Sequence, residues 1–542
     1  MIPDEKKPVP WGLPPLRSEP SVLNEKHDEK RPFIDTPTPD YEPASVYADS
    51  TGSNGYAFVP PKATTPSLRC RMAVLMGGML MIAGTMLYIR FVMYDPRVID
   101  AGTFSPTTLG TGADTLLAVQ TLMDAGFNAN NTVAWDRLAE MTDLYGHRMT
   151  ASKAYDRSVE WEQDANLTAY TEPVWWRRGS ESLRLFVPTR PGGFVDIPLL
   201  GLGNSVATPP EGVEAKVVPV HSFEELEQLG NATIAGNIYS GYGATARFRT
   251  RGAQQAEKYG ALAVLVRTVT PDTSFNSVHT GSSTRASIPA AAISYADANF
   301  IERMAKVGAS KDHLVMNASL RENAKQSANI IIDLKGTEYP DQIILLSGHF
   351  DSWDVGVGAM DDGAGAFLAW EAARLISQVG RAPRRTIRVV MWNNEETLQR
   401  GARAYFEKHK TEIGNHRFAF ESDIGVFEPW GLAVQADKTM IKNLRNYGDD
   451  LLKVLGAGNI TTSDVESPGE DIAILCENGV PCAGVLSLNP ENGAAPGEPR
   501  WDEHYFRYHH AKSDRVEVID KHQLRRSAAA LAAWAYLIAD IY

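Results

Sequence analysis

The strongest regularity in the chain lies after residue 328, where short apolar runs alternate with amphipathic stretches. The runs ANIIIDLKG, QIILLSGHF, RTIRVVMWNN and FAFESDIG are dominated by apolar residues, as strands buried on both faces of a parallel sheet are. Between them, GAFLAWEAARLIS and GARAYFEKHK place apolar residues at helical spacing. This alternation predicts an α/β fold with a doubly wound, mostly parallel sheet over 326–542. The closing segment KHQLRRSAAALAAWAYLIADI holds a clean apolar stretch of only about 13 residues, too short to span a bilayer, so it reads as a packing helix.

Upstream the texture differs. TLLAVQTLMDAGF (115–127) and WDRLAEMTDLYGH (135–147) carry the helical period, and Thr150 or Ser152 can cap the next helix, ASKAYDRSVEWEQDA. These open the body, with 110–194 as its first part. From 195 to 325, short strands (EAKVVPV, ATIAGNIYS, ALAVLVRTV, IPAAAISY) separated by glycine turns predict a small β-rich insertion.

Two N-terminal regions stand apart. Residues 1–71 are proline-rich and charged, with too little apolar surface to offset the cost of ordering, and read as a disordered tail. Residues 72–89, MAVLMGGMLMIAGTMLYI, are uncharged; at about 1.5 Å per residue they cover roughly 27 Å, and Phe91 to Tyr94 extend the run. It begins too far from Met1 for an ordinary cleaved signal peptide. A slight basic bias before the run places the tail in the cytosol. Five Asn-x-Ser/Thr triplets, at Asn130, Asn166, Asn231, Asn317 and Asn459, all follow it. The expectation is a single-pass type II membrane protein, anchored through 72–94, with an extracellular or lumenal body.

Composition narrows the function. At 542 residues more than one folded unit is expected. A net charge of −13 without a dense basic run excludes a nucleic-acid binder. Three cysteines make no disulfide framework; Cys476 and Cys482 either close one small loop or stay as two buried thiols, and Cys70 sits alone beside the apolar run.

Candidate chemistry gathers where predicted strands end, as it does in open α/β sheets. His349 and Asp351 follow one strand and point the same way, so Asp351 can orient the imidazole. Asp361 and Asp362 lie in GAMDDGAGA just before a helix. A phosphate loop is excluded there because two acids occupy the anion's place and no Lys follows. Glu395 and Glu396 end the next strand, and Asp423 a further one. Neighbouring buried acids repel each other and lose hydration unless a cation joins them. In YFRYHHAKSD either His509 or His510 can supply a second imidazole, with Asp514 to orient it. Nitrogen and oxygen donors without cysteine suit zinc. Two such ions polarise a carbonyl and activate the water between them, while a glutamate moves its proton to the leaving amine, so the reaction that fits is amide hydrolysis.

These residues in this order resemble the di-zinc exopeptidase family of carboxypeptidase Q. The resemblance covers most of 110–542, through GLGNSVATPPEG, GYGATARFRTRGA, SGHFDSWDVGVGAMDDGAGAF, the Glu395–Glu396 pair, ESDIG and YHHAKSD. It implies two zinc ions: His349 and Asp423 on one, Glu396 and His510 on the other, and Asp361 bridging. It further implies Glu395 as general base, Asp351 supporting His349, a protease-associated domain at 195–325 and a homodimer. Substrates would be dipeptides or short peptides, with carboxypeptidase or dipeptidase action against aminopeptidase action left open. Two departures stand out: Asn394 and Thr397–Leu398 flank the glutamate pair, and 484–506 is longer than usual. A receptor ectodomain without catalysis and a one-zinc glutaminyl-cyclase-like transferase are alternatives, both disfavoured by the complete ligand set.

Overall fold

Apolar strands need cover on both faces, and the computed structural model supplies it with helices on each side of one eight-stranded sheet. It describes residues 112–542 apart from 163–164, 231–235, 239–241, 269–275, 309–310 and 463–467. The tail and the expected anchor therefore lie outside the described residues, among which no helix is long and apolar enough to cross a membrane.

The sheet strands are β1 (Asn166–Glu172), β2 (Lys325–Leu334), β3 (Tyr339–His349), β4 (Arg385–Trp392), β5 (His416–Glu421), β6 (Pro429–Gln435), β7 (Asn459–Thr462) and β8 (Cys482–Ser487). Their spatial order is β1-β2-β4-β3-β5-β8-β6-β7. The central four, β4-β3-β5-β8, run parallel, whereas β1, β2 and β6 make antiparallel pairings. The expectation of a mostly parallel sheet thus holds at the centre and fails at β2. Parallel neighbours need a crossover of a dozen residues or more, and only a short turn joins Leu334 to Tyr339, so the chain simply reverses.

Helices α1 (Ala113–Phe127), α2 (Val133–Tyr145) and α3 (Lys153–Trp161) precede the insertion. Ser152, not Thr150, caps α3, its hydroxyl accepting the Tyr155 N–H. In the sheet domain follow α4 (Ala364–Gln378), α5 (Arg400–His409), α6 (Lys438–Asp450), α7 (Glu503–Tyr508) and α8 (Lys521–Ile541). α8 is apolar nearly all round because it is buried nearly all round, packed against α1 and α4. Its start is capped by Asp520, which accepts the His522 and Gln523 N–H groups.

The insertion leaves through a paired stem, Trp175–Arg177 against Ser319–Arg321. Strands Glu181–Phe186 and Phe194–Ile197 already belong to it, so it begins earlier than residue 195. Burial alternates along Glu181–Phe186, with Leu183 and Leu185 inward and Ser182 and Arg184 in solvent. One sheet is four-stranded and antiparallel; the other has five strands, parallel except for Leu199–Gly201. Helices Tyr242–Ala256 and Tyr295–Lys306 accompany them. Cys476 and Cys482 are bridged, tying the short helix Ala473–Glu477 to the start of β8.

Gly365, just after Asp361 and Asp362, serves a close approach within the protein. A Cβ on Gly365 would stand 2.1 Å from the Ser422 carbonyl oxygen. α4 can therefore start directly beneath the residue that precedes Asp423.

Candidate metal centre

Because β4, β3 and β5 are parallel neighbours, their carboxyl ends deliver side chains to one edge. His349 is the last residue of β3, Glu395 and Glu396 follow β4, and Asp423 follows β5. The loop before α4 adds Asp361, which joins Asp362 through a cis peptide. His510 arrives from the turn after α7, with a positive φ of 58°.

Asp361 stands between two imidazoles. Its Oδ1 lies 3.1 Å from His349 Nε2, and its Oδ2 lies 3.1 Å from His510 Nε2. His349 Nε2 is also 3.2 Å from Asp423 Oδ1, and His510 Nε2 is 2.8 Å from Glu396 Oε2. Two triads sharing Asp361 result. His509 comes less close, with Nε2 3.7 Å from Asp361 Oδ2 and its ring stacked on His510 at 3.4 Å between centroids. His510 alone of the pair meets both Asp361 and Glu396 at hydrogen-bonding distance. Glu395 faces outward more than its neighbour, 17% exposed against 2% for Glu396, with Oε2 3.8 Å from His349 Nε2.

The supporting contacts differ in part from those expected. Asp351 orients His349 through its carbonyl, 2.9 Å from Nδ1, rather than through its carboxylate at 3.8 Å. A carbonyl can only accept, so Nδ1 carries the proton and Nε2 faces the acids. The Asp351 carboxylate instead accepts the Glu395 N–H and the Thr150 hydroxyl. Asp514 does not orient a histidine; its oxygens accept the N–H groups of Ala359, Met360 and Asp361, fixing the loop that carries Asp361. His510 Nδ1 faces the Thr280 carbonyl of the insertion at 3.3 Å. Asp362 accepts the His349 and Gly365 N–H groups, which makes it a brace between β3 and α4.

Asn394 takes the left-handed conformation that asparagine tolerates better than most residues. Its amide donates to the Thr397 hydroxyl and its Oδ1 accepts the Arg400 N–H, so Asn394 and Thr397 together brace the turn presenting the glutamates. The long 484–506 stretch is pinned by Trp501 on the Ser487 carbonyl and leads into α7.

Two residues of this site escaped the sequence reading. Arg148, fully buried, donates to the carbonyls of Phe350, Val357 and Gly358, binding together the loop between His349 and Asp361. Burial lowers its pKa to about 10, opposed by Asp514 and Asp351. Tyr505 on α7 donates to Asp361 Oδ1 at 3.0 Å. Neither sits in a spacing that signals chemistry.

Burial and mutual repulsion set the electrostatics of the cluster. Burial, reinforced by Asp423 and Glu396, pushes the Glu395 carboxyl well above the usual range, and burial with Asp361 does the same to Glu396. Burial also raises Asp423, against the pull of His349. For His349 burial opposes the charge, yet Asp423, Asp361 and Glu395 outweigh it and hold the imidazole well above its ordinary value. Asp361 Oδ2, Glu396 Oε1 and Asp423 Oδ1 are buried without a hydrogen-bond partner. Donors about 2.0–2.2 Å from one tetrahedral zinc stand roughly 3.3–3.6 Å apart. The observed separations of 3.1 and 3.2 Å around His349 lie close to that, so the residues fit the metal.

A buried cluster of acids and imidazoles at the carboxyl edge of a parallel sheet defines a metal-dependent hydrolase site. Comparison with known proteins places it further. Residues 329–535 match Peptidase family M28. Carboxypeptidase Q of Homo sapiens is 36% identical over 430 residues, covering 75% of this chain and 85% of that one. The crystal structure of a peptidase M28 precursor from Shewanella amazonensis SB2B superposes with a TM-score of 0.68 at 28% identity, over 79% of this chain and 97% of that one. A zinc aminopeptidase from Bacillus subtilis shares the fold at a TM-score of 0.55 and 18% identity, over 74% of this chain and 94% of that one. The chain belongs to peptidase family M28, as a carboxypeptidase Q-like member, and is a metallo-exopeptidase.

The raised groups set a sign for pH. Metal-free His349, Glu396 and Asp423 hold protons at pH values where free side chains would have lost them. Ligation needs those protons gone. Zinc binding to the stripped protein is therefore expected to release protons, and affinity to rise from about pH 5 to about pH 8. Calorimetry in two buffers of different ionisation enthalpy measures the release; no release, or an affinity that falls with pH, contradicts the assignment.

Proposed function

We propose that the enzyme hydrolyses dipeptides and other short peptides by carboxypeptidase or dipeptidase action, with two zinc ions held by His349, Asp361, Glu396, Asp423 and His510. The observation that carries this is the Asp361 carboxylate, with one oxygen toward each imidazole and an acid closing each triad. When bound, the zinc ions supply Lewis acidity to the scissile carbonyl and to the attacking water.

The chain's own groups do the remaining work. Glu395 takes a proton from the attacking water and returns it to the nitrogen of the leaving amine. Its greater exposure and its raised pKa suit an acid that must both accept and give. Asp351 holds Glu395 by its backbone N–H, and Tyr505 holds Asp361 by its hydroxyl. Trp353, Val355, Glu396 and His510 line a small recess beside Asp361. The two-sheet architecture of the insertion supports reading it as a protease-associated domain.

On the same reading, 72–94 anchors the protein with its body outside the cytosol. Asn130, Asn166, Asn317 and Asn459 are all exposed, which supports acceptance of glycans.

Two expectations follow. Glu395→Gln should retain zinc while losing about 10²- to 10⁴-fold in kcat on an unblocked dipeptide; full activity in that variant removes Glu395 as the base, and no wild-type turnover across a dipeptide panel removes the activity. Endoglycosidase treatment of the protein from eukaryotic cells should lower its mass; an unglycosylated body facing the cytosol contradicts the topology.

A further inference from the structure

The metal centre is not equally open on all sides. His349, Asp361, Glu396 and His510 are buried, whereas the side chains of Glu395 and Asp423 are 17% and 15% exposed. Water, and with it a substrate, reaches the cluster past these two acids. The residues that accompany them are apolar and open. Leu398, 46% exposed, follows Glu395 by three positions, and Ile424, 38% exposed, directly follows Asp423. Because β4 and β5 flank β3, the two residues lie on either side of the strand end that carries His349.

The turn itself fixes Leu398 there. Its N–H donates to the Asn394 carbonyl at 3.2 Å, closing one helical turn, and the Gln399 N–H donates to the same oxygen at 2.7 Å. Residues three apart on a helical turn share a face, so Leu398 stands on the face of Glu395 while Glu396 turns inward. Both ends of the turn are fastened. The Asn394 amide donates to the Thr397 hydroxyl at 2.6 Å, and the Gln399 amide donates to Glu470 Oε2 at 3.1 Å. A leucine held on that face keeps its side chain in water until a ligand covers it.

A lone exposed leucine carries no message, but two apolar side chains on the open flank of an acid cluster do. The acids and the metal they hold act on the peptide bond and leave the substrate side chains beside it unread. An apolar side chain laid against Leu398 takes hydrocarbon surface of both partners out of water. An acidic one would lose hydration next to carboxylates that repel it. We propose that Leu398, with Ile424 opposite, forms an apolar lip that receives the side chain of the substrate residue lying toward His349, so that the enzyme selects short peptides with an aliphatic or aromatic residue at that position. This rests on the exopeptidase reading above and deepens it by naming a substrate class. Leu398 is on this account a specificity residue, and the proton transfers stay with Glu395.

The test uses two series of unblocked dipeptides, X-Ser and Ser-X, with X alanine, valine, leucine or phenylalanine. The zinc-loaded full-length protein is compared with its Leu398→Ser, Leu398→Met and Ile424→Ser variants. The ratio of kcat/KM for X leucine to X alanine is read within each preparation, so any inactive fraction cancels. Wild type should favour leucine by roughly 10-fold or more in one of the two series, the low end of what added methylenes contribute in an apolar pocket. Leu398→Ser should bring that ratio to within about threefold of one and leave the other series unchanged. Leu398→Met, still apolar and of similar volume, should keep the preference, and Ile424→Ser should weaken it in the same series. If Leu398→Ser lowers all peptides of both series equally, or leaves the ratio as it was, the residue only shapes the turn, and the inference falls while the exopeptidase reading stands. A wild type that turns over both series without preference has the same consequence. If the wild type turns over no member of either series, both fall together.

Discussion

The mutual repulsion of buried carboxylates is the constraint on which the rest of this molecule depends. Asp361, Glu396 and Asp423 lie at one sheet edge together with Glu395, largely withdrawn from water, and several of their oxygens have no protein partner. Such an arrangement is costly in a bare protein and becomes favourable around divalent cations. The site is therefore held by scaffolding that does not ligate. Asp514 binds three N–H groups of the Asp361 loop, Arg148 ties three carbonyls beside it, and Asp362 braces β3 against α4.

Topology explains why the acids meet at all. Parallel neighbours place their carboxyl ends side by side, and β4, β3 and β5 are such neighbours, so residues separated by dozens of positions share one edge. The insertion contributes from the other side. Thr280 pairs with His510 through both its N–H and its carbonyl, which ties the orientation of that imidazole to the two-sheet region.

Much of this was legible in the residues. His349, Glu395, Glu396 and Asp423 announced themselves as polar groups at the ends of apolar runs, and Asp361 as an acid just before a helix, where charge without a partner makes no structural sense. The core alternation of strand and helix after residue 328 was equally plain. Other features were hidden because their signal is three-dimensional. Nothing local marks Arg148 as buried, since its partners lie some two hundred positions away. The choice of His510 over His509 depends on which ring reaches Glu396, and adjacent residues carry no spacing to decide it. Asp514 had the right chemistry for an orienting acid but is taken by backbone donors, and the reversal at β2 follows from loop length rather than from composition.

The central claim is that Asp361 is shared by two cations. Native mass spectrometry of the purified protein tests it most directly, by counting zinc in the wild type and in Asp361→Ala. The account predicts two ions per chain in the wild type and loss of both from the variant, because each triad uses one oxygen of the same carboxylate. A wild type that binds no zinc, or a variant that keeps both ions, would contradict it.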